Sequence, residues 1–139
     1  VDTARHRVTR VPPELSGAYP VDGKRAIPGP LPRPARIDRA EVEDARPVRR
    51  ADIDSNGHVN NLRYLAWMLD SLPADLATEA RPIRLNVRYQ RETGPGERVV
   101  ARCGPLPMEK PGARRFGHEV LLAGSAERIA IAESVWVRD

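Results

Sequence analysis

Three residues able to do chemistry stand at every second position of the stretch Arg49-Arg50-Ala51-Asp52-Ile53-Asp54-Ser55-Asn56-Gly57-His58-Val59-Asn60-Asn61: Asp54, Asn56 and His58. In an extended segment alternate side chains point the same way, so a carboxylate, an amide and an imidazole are expected on one face. The run leads into an amphipathic helix, whose start offers backbone N–H groups without intrahelical partners and the positive end of the helix dipole. Groups that orient water beside a place for an oxyanion are what hydrolysis of an acyl group needs. A second motif, Tyr89-Gln90-Arg91-Glu92-Thr93-Gly94, closes a strand downstream and supplies a further carboxylate, Glu92.

Each of these residues also has an ordinary structural use. Asp54 can cap the helix or brace a turn, Asn56-Gly57 is a turn signal, His58 can be a satisfied polar residue, and Glu92 an exposed strand end. Asp52-Ile53-Asp54-Ser55-Asn56-Gly57 also imitates the first half of a calcium-binding loop, with Val59 at its apolar eighth position. The twelfth position should be a bidentate Glu and is Arg63, and the Pro47 and Arg-rich stretch upstream is unsuited to an entering helix, so calcium is not expected. His6 and His118 fit no ligand spacing, so no metal is expected.

The elements that must position these groups are legible from periodicity. Val59, Leu62, Leu65, Ala66, Leu69 and Leu72 recur at helical spacing, widened by Tyr64, Trp67 and Met68, which predicts a helix from about Val59 to Leu72 stopped by Pro73. Arg46–Ala51 is a short strand candidate. Ile83, Leu85, Val87 and Tyr89 alternate with polar residues, as do Phe116, His118, Val120 and Leu122; residues 97–103 and 129–137 are further strands, and 104–112 a Pro-rich loop. A broad apolar helix stripe needs a sheet around it.

The chain has 139 residues, enough for one domain with a modest core. Residues 1–45 hold seven of the 14 prolines, which predicts an extended connector without regular helix. The net charge of +4 lies wholly in residues 1–50, with 11 Lys and Arg against 7 Asp and Glu. Such a surface can steer an acidic partner. Nucleic acid is not expected, because aromatic residues make up only 4% of the chain. No apolar run approaches the roughly 18 residues of a membrane span. A single Cys103 excludes an internal disulfide and fits a reducing, cytoplasmic setting. The chain does not begin with Met and is expected to be a processed or truncated piece.

The run Asp54-x-Asn56-x-His58-Val59-Asn60-Asn61, the helix end Trp67-Met68-Leu69-Asp70-Ser71-Leu72-Pro73 and the strand end Tyr89-x-Arg91-Glu92 resemble the C-terminal half of the acyl-ACP thioesterases. These are hotdog-fold enzymes of plants and bacteria that release fatty acids from acyl carrier protein. Val8-Thr9-Arg10-Val11-Pro12-Pro13-Glu14-Leu15 is similar to the connector between their two hotdog halves. The resemblance implies an α+β hotdog, about five antiparallel strands wrapped around one central helix, spanning 46–139 after a connector at 1–45. It implies hydrolysis of fatty acyl-ACP, with Asp54, Asn56, His58 and Glu92 as the catalytic set, Asn56 orienting Asp54 or the thioester carbonyl, and N–H groups at Val59 or Asn60 on the oxyanion. Asn60 and Asn61 would fix the helix start. Water activation by Asp54 or Glu92 and nucleophilic attack by Asp54 are both open. No cofactor is implied, since phosphopantetheine arrives on the substrate.

The implied partners are an acidic acyl carrier protein and either a missing first hotdog half, which shapes the acyl pocket in the family, or a second copy of the chain. Plant members usually carry Cys after the catalytic Glu; here Thr93 excludes a nucleophile at that position, and Cys103 lies outside both motifs. The alternatives are an acyl-CoA thioesterase of another hotdog branch and a non-catalytic hotdog module that binds acyl chains.

Overall fold

The alternating apolar positions assemble into a single antiparallel sheet whose inner face receives the predicted helix. The computed structural model describes residues 9–18, 23 and 29–138; His6 and the connector positions 1–8, 19–22 and 24–28 lie outside them. Contacts divide the chain into two compact units, residues 1–31 and 32–139. In the first, a short helix α1 (Pro13–Ala18) forms where proline density predicts none. Pro13 takes the first helical position, where a missing N–H costs nothing and the fixed φ suits the helix.

In the second unit the order is β1 (Val42–Pro47), a 3₁₀ turn (Arg50–Asp52), α2 (Asn61–Asp70), α3 (Ala74–Glu79), β2 (Ala80–Tyr89), β3 (Arg98–Leu106), β4 (Ala113–Leu122) and β5 (Arg128–Arg138). The five strands lie in the spatial order β1-β3-β4-β5-β2, with every pairing antiparallel. With α2 packed on β3 and β4, this is the expected hotdog arrangement. The strand expected at Arg46–Ala51 sits earlier, at β1, because the chain turns at Arg50–Asp52 to reach the site loop. Pro73 ends the long helix as expected, but a second short helix, α3, starts immediately after it.

The apolar stripe of α2 is centred differently from its leucines. Tyr64, Trp67 and Met68 are buried with Val99, Ala101, Val120, Ala130 and Ala132, whereas Leu62 is 69% exposed and Leu69 also faces outward. Positions 64, 67, 68 and 71 share one helical face, and the largest side chains on the helix occupy it.

Residues 32–41 cross the outer face of the sheet as a strap. The Asn86 side-chain amide on β2 donates to the Pro32 carbonyl at 2.7 Å, and the Ala35 N–H donates to Glu133 on β5 at 3.4 Å. Ile37 then packs over Gly117 on β4, and the Arg39 carbonyl lies over Gly104 on β3. The Glu41 N–H closes the crossing on Cys103 O at 2.8 Å. Gly104 and Gly117 are register partners. A Cβ added at Gly104 would sit 2.1 Å from the Arg39 carbonyl oxygen, and one at Gly117 would sit 2.5 Å from Ile37 Cγ2. The paired glycines thus cut the trench in which the strap lies.

Candidate active site

Alternation is not what brings the polar motif together. Residues 53–59 form a tight hairpin: Ile53 and Val59 make an antiparallel bridge, the Asp54 N–H donates to His58 O at 2.9 Å, and the Gly57 N–H donates to Asp54 O at 3.1 Å. Gly57 adopts φ +81°, a left-handed conformation that glycine takes without steric cost. Asp54 and His58 therefore face each other across the neck, with Asn56 exposed at the tip. Asp54 Oδ1 accepts the backbone N–H of Asn56 at 2.8 Å. The turn-bracing use of Asp54 is thus present, and among the described residues the Asn56 side chain makes no hydrogen bond to it.

His58 and Glu92 are brought together, with Nε2 and Oε2 3.5 Å apart and side chains 33% and 70% exposed. One main-chain bond sets this meeting: Val59, next to His58, donates its N–H to the carbonyl of Thr93, next to Glu92, at 2.8 Å. A cavity of about 330 Å³ adjoins the pair, lined by Val59, Asn61, Tyr64, Tyr89, Arg91 and Glu92 among others.

The N–H groups expected to serve an oxyanion at Val59 and Asn60 are already committed. Val59 donates to Thr93 as above, and Asn60 donates to Asp52 O at 2.8 Å. Asn60 does fix the helix start: it is the N-cap of α2, and its Oδ1 accepts the Leu62 N–H at 2.9 Å. The Arg63 N–H bonds to Asn60 O. Asn61 lines the cavity, and no acceptor for its N–H is found among the described residues.

Asp52 is the residue whose role the motif hides. It is 2% exposed, accepts the Arg49 N–H at 2.8 Å through Oδ2 and binds Arg63 Nε at 2.6 Å through Oδ1. With its carbonyl on Asn60, it pins the base of the hairpin to the first turn of α2. The pairing of Asp52 with the cation at the calcium loop's twelfth position explains both residues without calcium. The signal in the sequence was the Asp-to-Arg spacing across a predicted loop-to-helix junction. Among the described residues no cluster of potential metal ligands occurs.

Behind the site, Tyr64 and Thr93 are buried. The Tyr64 hydroxyl lies within electrostatic reach of the Thr93 hydroxyl and N–H, and burial raises its pKa above the usual tyrosine value. Neither hydroxyl completes a hydrogen bond of good geometry. Cys103 is also buried, and burial pushes its thiol up to about 12, so it stays protonated and inert as a nucleophile.

A five-stranded antiparallel sheet with a helix packed on one face is the hotdog arrangement. The chain belongs to the acyl-ACP thioesterase C-terminal domain family, which residues 36–137 match. It is similar to the chloroplastic oleoyl-acyl carrier protein thioesterase 2 of Arabidopsis thaliana, 31% identical over 81 residues that are 58% of this chain and 22% of that protein. A putative oleoyl thioesterase structure from Lactobacillus plantarum superposes with TM-score 0.81 at 29% identity, covering 96% of this chain and 52% of that one. The 12:0-ACP thioesterase from Umbellularia californica shares the fold, with TM-score 0.80 at 19% identity over 99% of this chain and 52% of its own. The chain thus spans about half the length of these two solved structures.

Proposed function

We propose that this chain is the catalytic half of a hydrolase that cleaves fatty acyl thioesters of acyl carrier protein to free fatty acid and holo-carrier, in the service of fatty acid biosynthesis. The observation that carries the reading is the 3.5 Å approach of His58 to Glu92 at the start of α2, in a chain of the acyl-ACP thioesterase family. Water is activated by the carboxylate of Glu92 or Asp54, with His58 holding or passing the proton. The Asn61 N–H takes the part expected of Val59 and Asn60, facing the carbonyl oxygen as charge develops on it. Attack by Asp54 itself, through a mixed anhydride, uses the same residues. The chemistry needs no cofactor of the protein's own, because the phosphopantetheine thiol leaves with the carrier.

The reading includes a partner for β2. This edge strand exposes Ile83, Leu85 and Tyr89, and an open apolar strand edge calls for cover. A first hotdog half, or a second copy of the chain, supplies it. The reading also places the protein in the cytoplasm, whereas plant relatives are named as chloroplastic; among the described residues no helix is long and apolar enough to cross a membrane.

A second reading, acyl-CoA hydrolysis, draws on similarity to a Thermus thermophilus thioesterase solved with coenzyme A, 25% identical with TM-score 0.62 over 72% of this chain. Thiol release from acyl-ACPs and acyl-CoAs of graded chain length, by the chain and by Asp54→Ala, separates the two. Turnover of acyl-ACP that is lost in the variant is expected. Turnover of acyl-CoA alone supports the second reading, and no turnover even with the first half supplied leaves a binding module. Single turnover in labelled water then distinguishes the routes, since label in Asp54 would exclude direct water attack.

A further inference from the structure

The strap and the β2 edge together gather arginines on one surface. Arg84, Asn86 and Arg88 point to the outer face of the sheet, because alternate strand residues share a face and Asn86 reaches outward to the Pro32 carbonyl. The strap lies between them. Pro32 sits on Asn86, and three residues on, Ala35 bonds to Glu133, the register partner of Asn86. Arg33 and Arg36 therefore ride over the same two strands, with Arg84 and Arg88 about 7 Å to either side of Asn86.

All four side chains are exposed, and among the described residues none of the four makes an ion pair. The one carboxylate at the centre, Glu133, is already bound by Arg115 at 2.7 Å and by the Ala35 N–H. The Arg115 guanidinium beside it, with Arg84 farther off, holds its carboxyl below the usual range. This leaves an uncompensated basic surface on an otherwise mixed-charge protein, with no aromatic side chain among its members to stack on bases.

We infer that Arg33, Arg36, Arg84 and Arg88 form the docking surface for the acidic acyl carrier protein. The inference rests on the acyl-ACP reading above and names the face that receives the carrier. The fit is charge complementarity: a patch of like charge steers an oppositely charged protein and fixes its orientation.

The test is titration of the isotope-labelled full chain with holo-acyl carrier protein at low and high salt, beside Arg33→Glu/Arg88→Glu and Arg33→Gln/Arg88→Gln. Arg84 is left intact because it supports Glu133, and thermal melts confirm that the variants fold. Expected are saturable shifts of the amides at 33–36 and 84–88 that high salt abolishes. Charge reversal should weaken binding by about tenfold or more, neutralisation by less. The ratio of kcat/KM for acyl-ACP to that for a carrier-free acyl-pantetheine thioester should fall by the same factor. Carrier affinity unchanged by reversal overturns the inference, as does binding of anionic vesicles in place of the carrier. Binding without hydrolysis would leave the docking surface standing and remove the catalytic reading; hydrolysis with unaltered affinity in the reversed variant would do the opposite.

Discussion

Asp52 shows how much of the site depends on a residue that touches no substrate. Its two carboxylate oxygens and its carbonyl hold Arg49, Arg63 and Asn60, so the hairpin that carries Asp54 and His58 has one fixed base. Asp52→Ala leaves the Arg49 N–H and the Arg63 guanidinium without their acceptor. Because Arg63 is itself 45% exposed, water recovers part of the loss, and about 1–3 kcal/mol of destabilisation is expected in chemical denaturation. Hydrolysis should fall as well, since His58 loses its bearing on Glu92; normal turnover in a destabilised Asp52→Ala protein would show that the hairpin keeps its shape unaided. Cys103 gives the opposite expectation. With its thiol pushed up to about 12 by burial, it should resist alkylation until the protein unfolds, and Cys103→Ala should keep hydrolytic activity. Loss of activity on thiol modification of the folded protein would contradict this.

At the scale of elements, the two glycines under the strap make a graded prediction. Gly→Ala at a permissive site usually stabilises, by about 0.4–1 kcal/mol through the unfolded chain. Gly104→Ala should do the reverse, because its methyl meets the Arg39 carbonyl, a backbone atom with nowhere to go. A cost of about 1–3 kcal/mol is expected, together with faster proteolysis within residues 32–41. Gly117→Ala meets side-chain atoms, Ile37 Cγ2 and Leu106 Cδ1, in place of a backbone carbonyl, so its cost should be smaller; equal effects in thermal denaturation would refute the trench. The strap itself was not legible in the sequence. Proline density predicted an extended connector over 1–45, but the seat of the strap depends on Gly104 and Gly117 meeting across β3 and β4, a pairing that only register creates. The strands and the long helix were legible because each repeats a period. The face of α2 was misjudged, since leucine spacing suggested a stripe that the larger Tyr64, Trp67 and Met68 displaced. The polar motif does not lie along one extended face: a hairpin closed at Gly57, with Val59 bound to Thr93, sets Asp54 and His58 across its neck and leaves Asn56 at its tip.

For the molecule as a whole, His118 ties sheet to helix and should set the acid limit of stability. It stands on the inner face of β4, where Nε2 meets Ser134 Oγ of β5 at 2.8 Å, and Trp136 Nε1 donates to the same hydroxyl at 2.8 Å. The Ser134 hydroxyl thus joins His118 on β4 to Trp136 on β5 in one buried hydrogen-bonded group. Burial lowers the His118 pKa to about 4, the Met68 backbone opposing it. The unfolded chain takes up this proton near pH 6.5, the folded protein only near pH 4. Between those values the unfolded state binds more protons, so stability falls as pH falls. The full effect is on the order of 3 kcal/mol, reached once the folded-state pKa is passed. Glu133, whose carboxyl the Arg115 guanidinium holds below its ordinary value of 4.5, loses its contribution as pH falls from about 4.5 downward, so the two groups overlap only at the acid end of the His118 window. Urea denaturation from pH 7 down to pH 4.5 should therefore show a steady loss for the native protein. His118→Gln, less stable throughout, should lack that part of the slope, because no buried ring remains to be protonated on unfolding. A native protein whose stability is flat across this window would mean that His118 titrates near its ordinary value, and that the join between β4, β5 and α2 admits water.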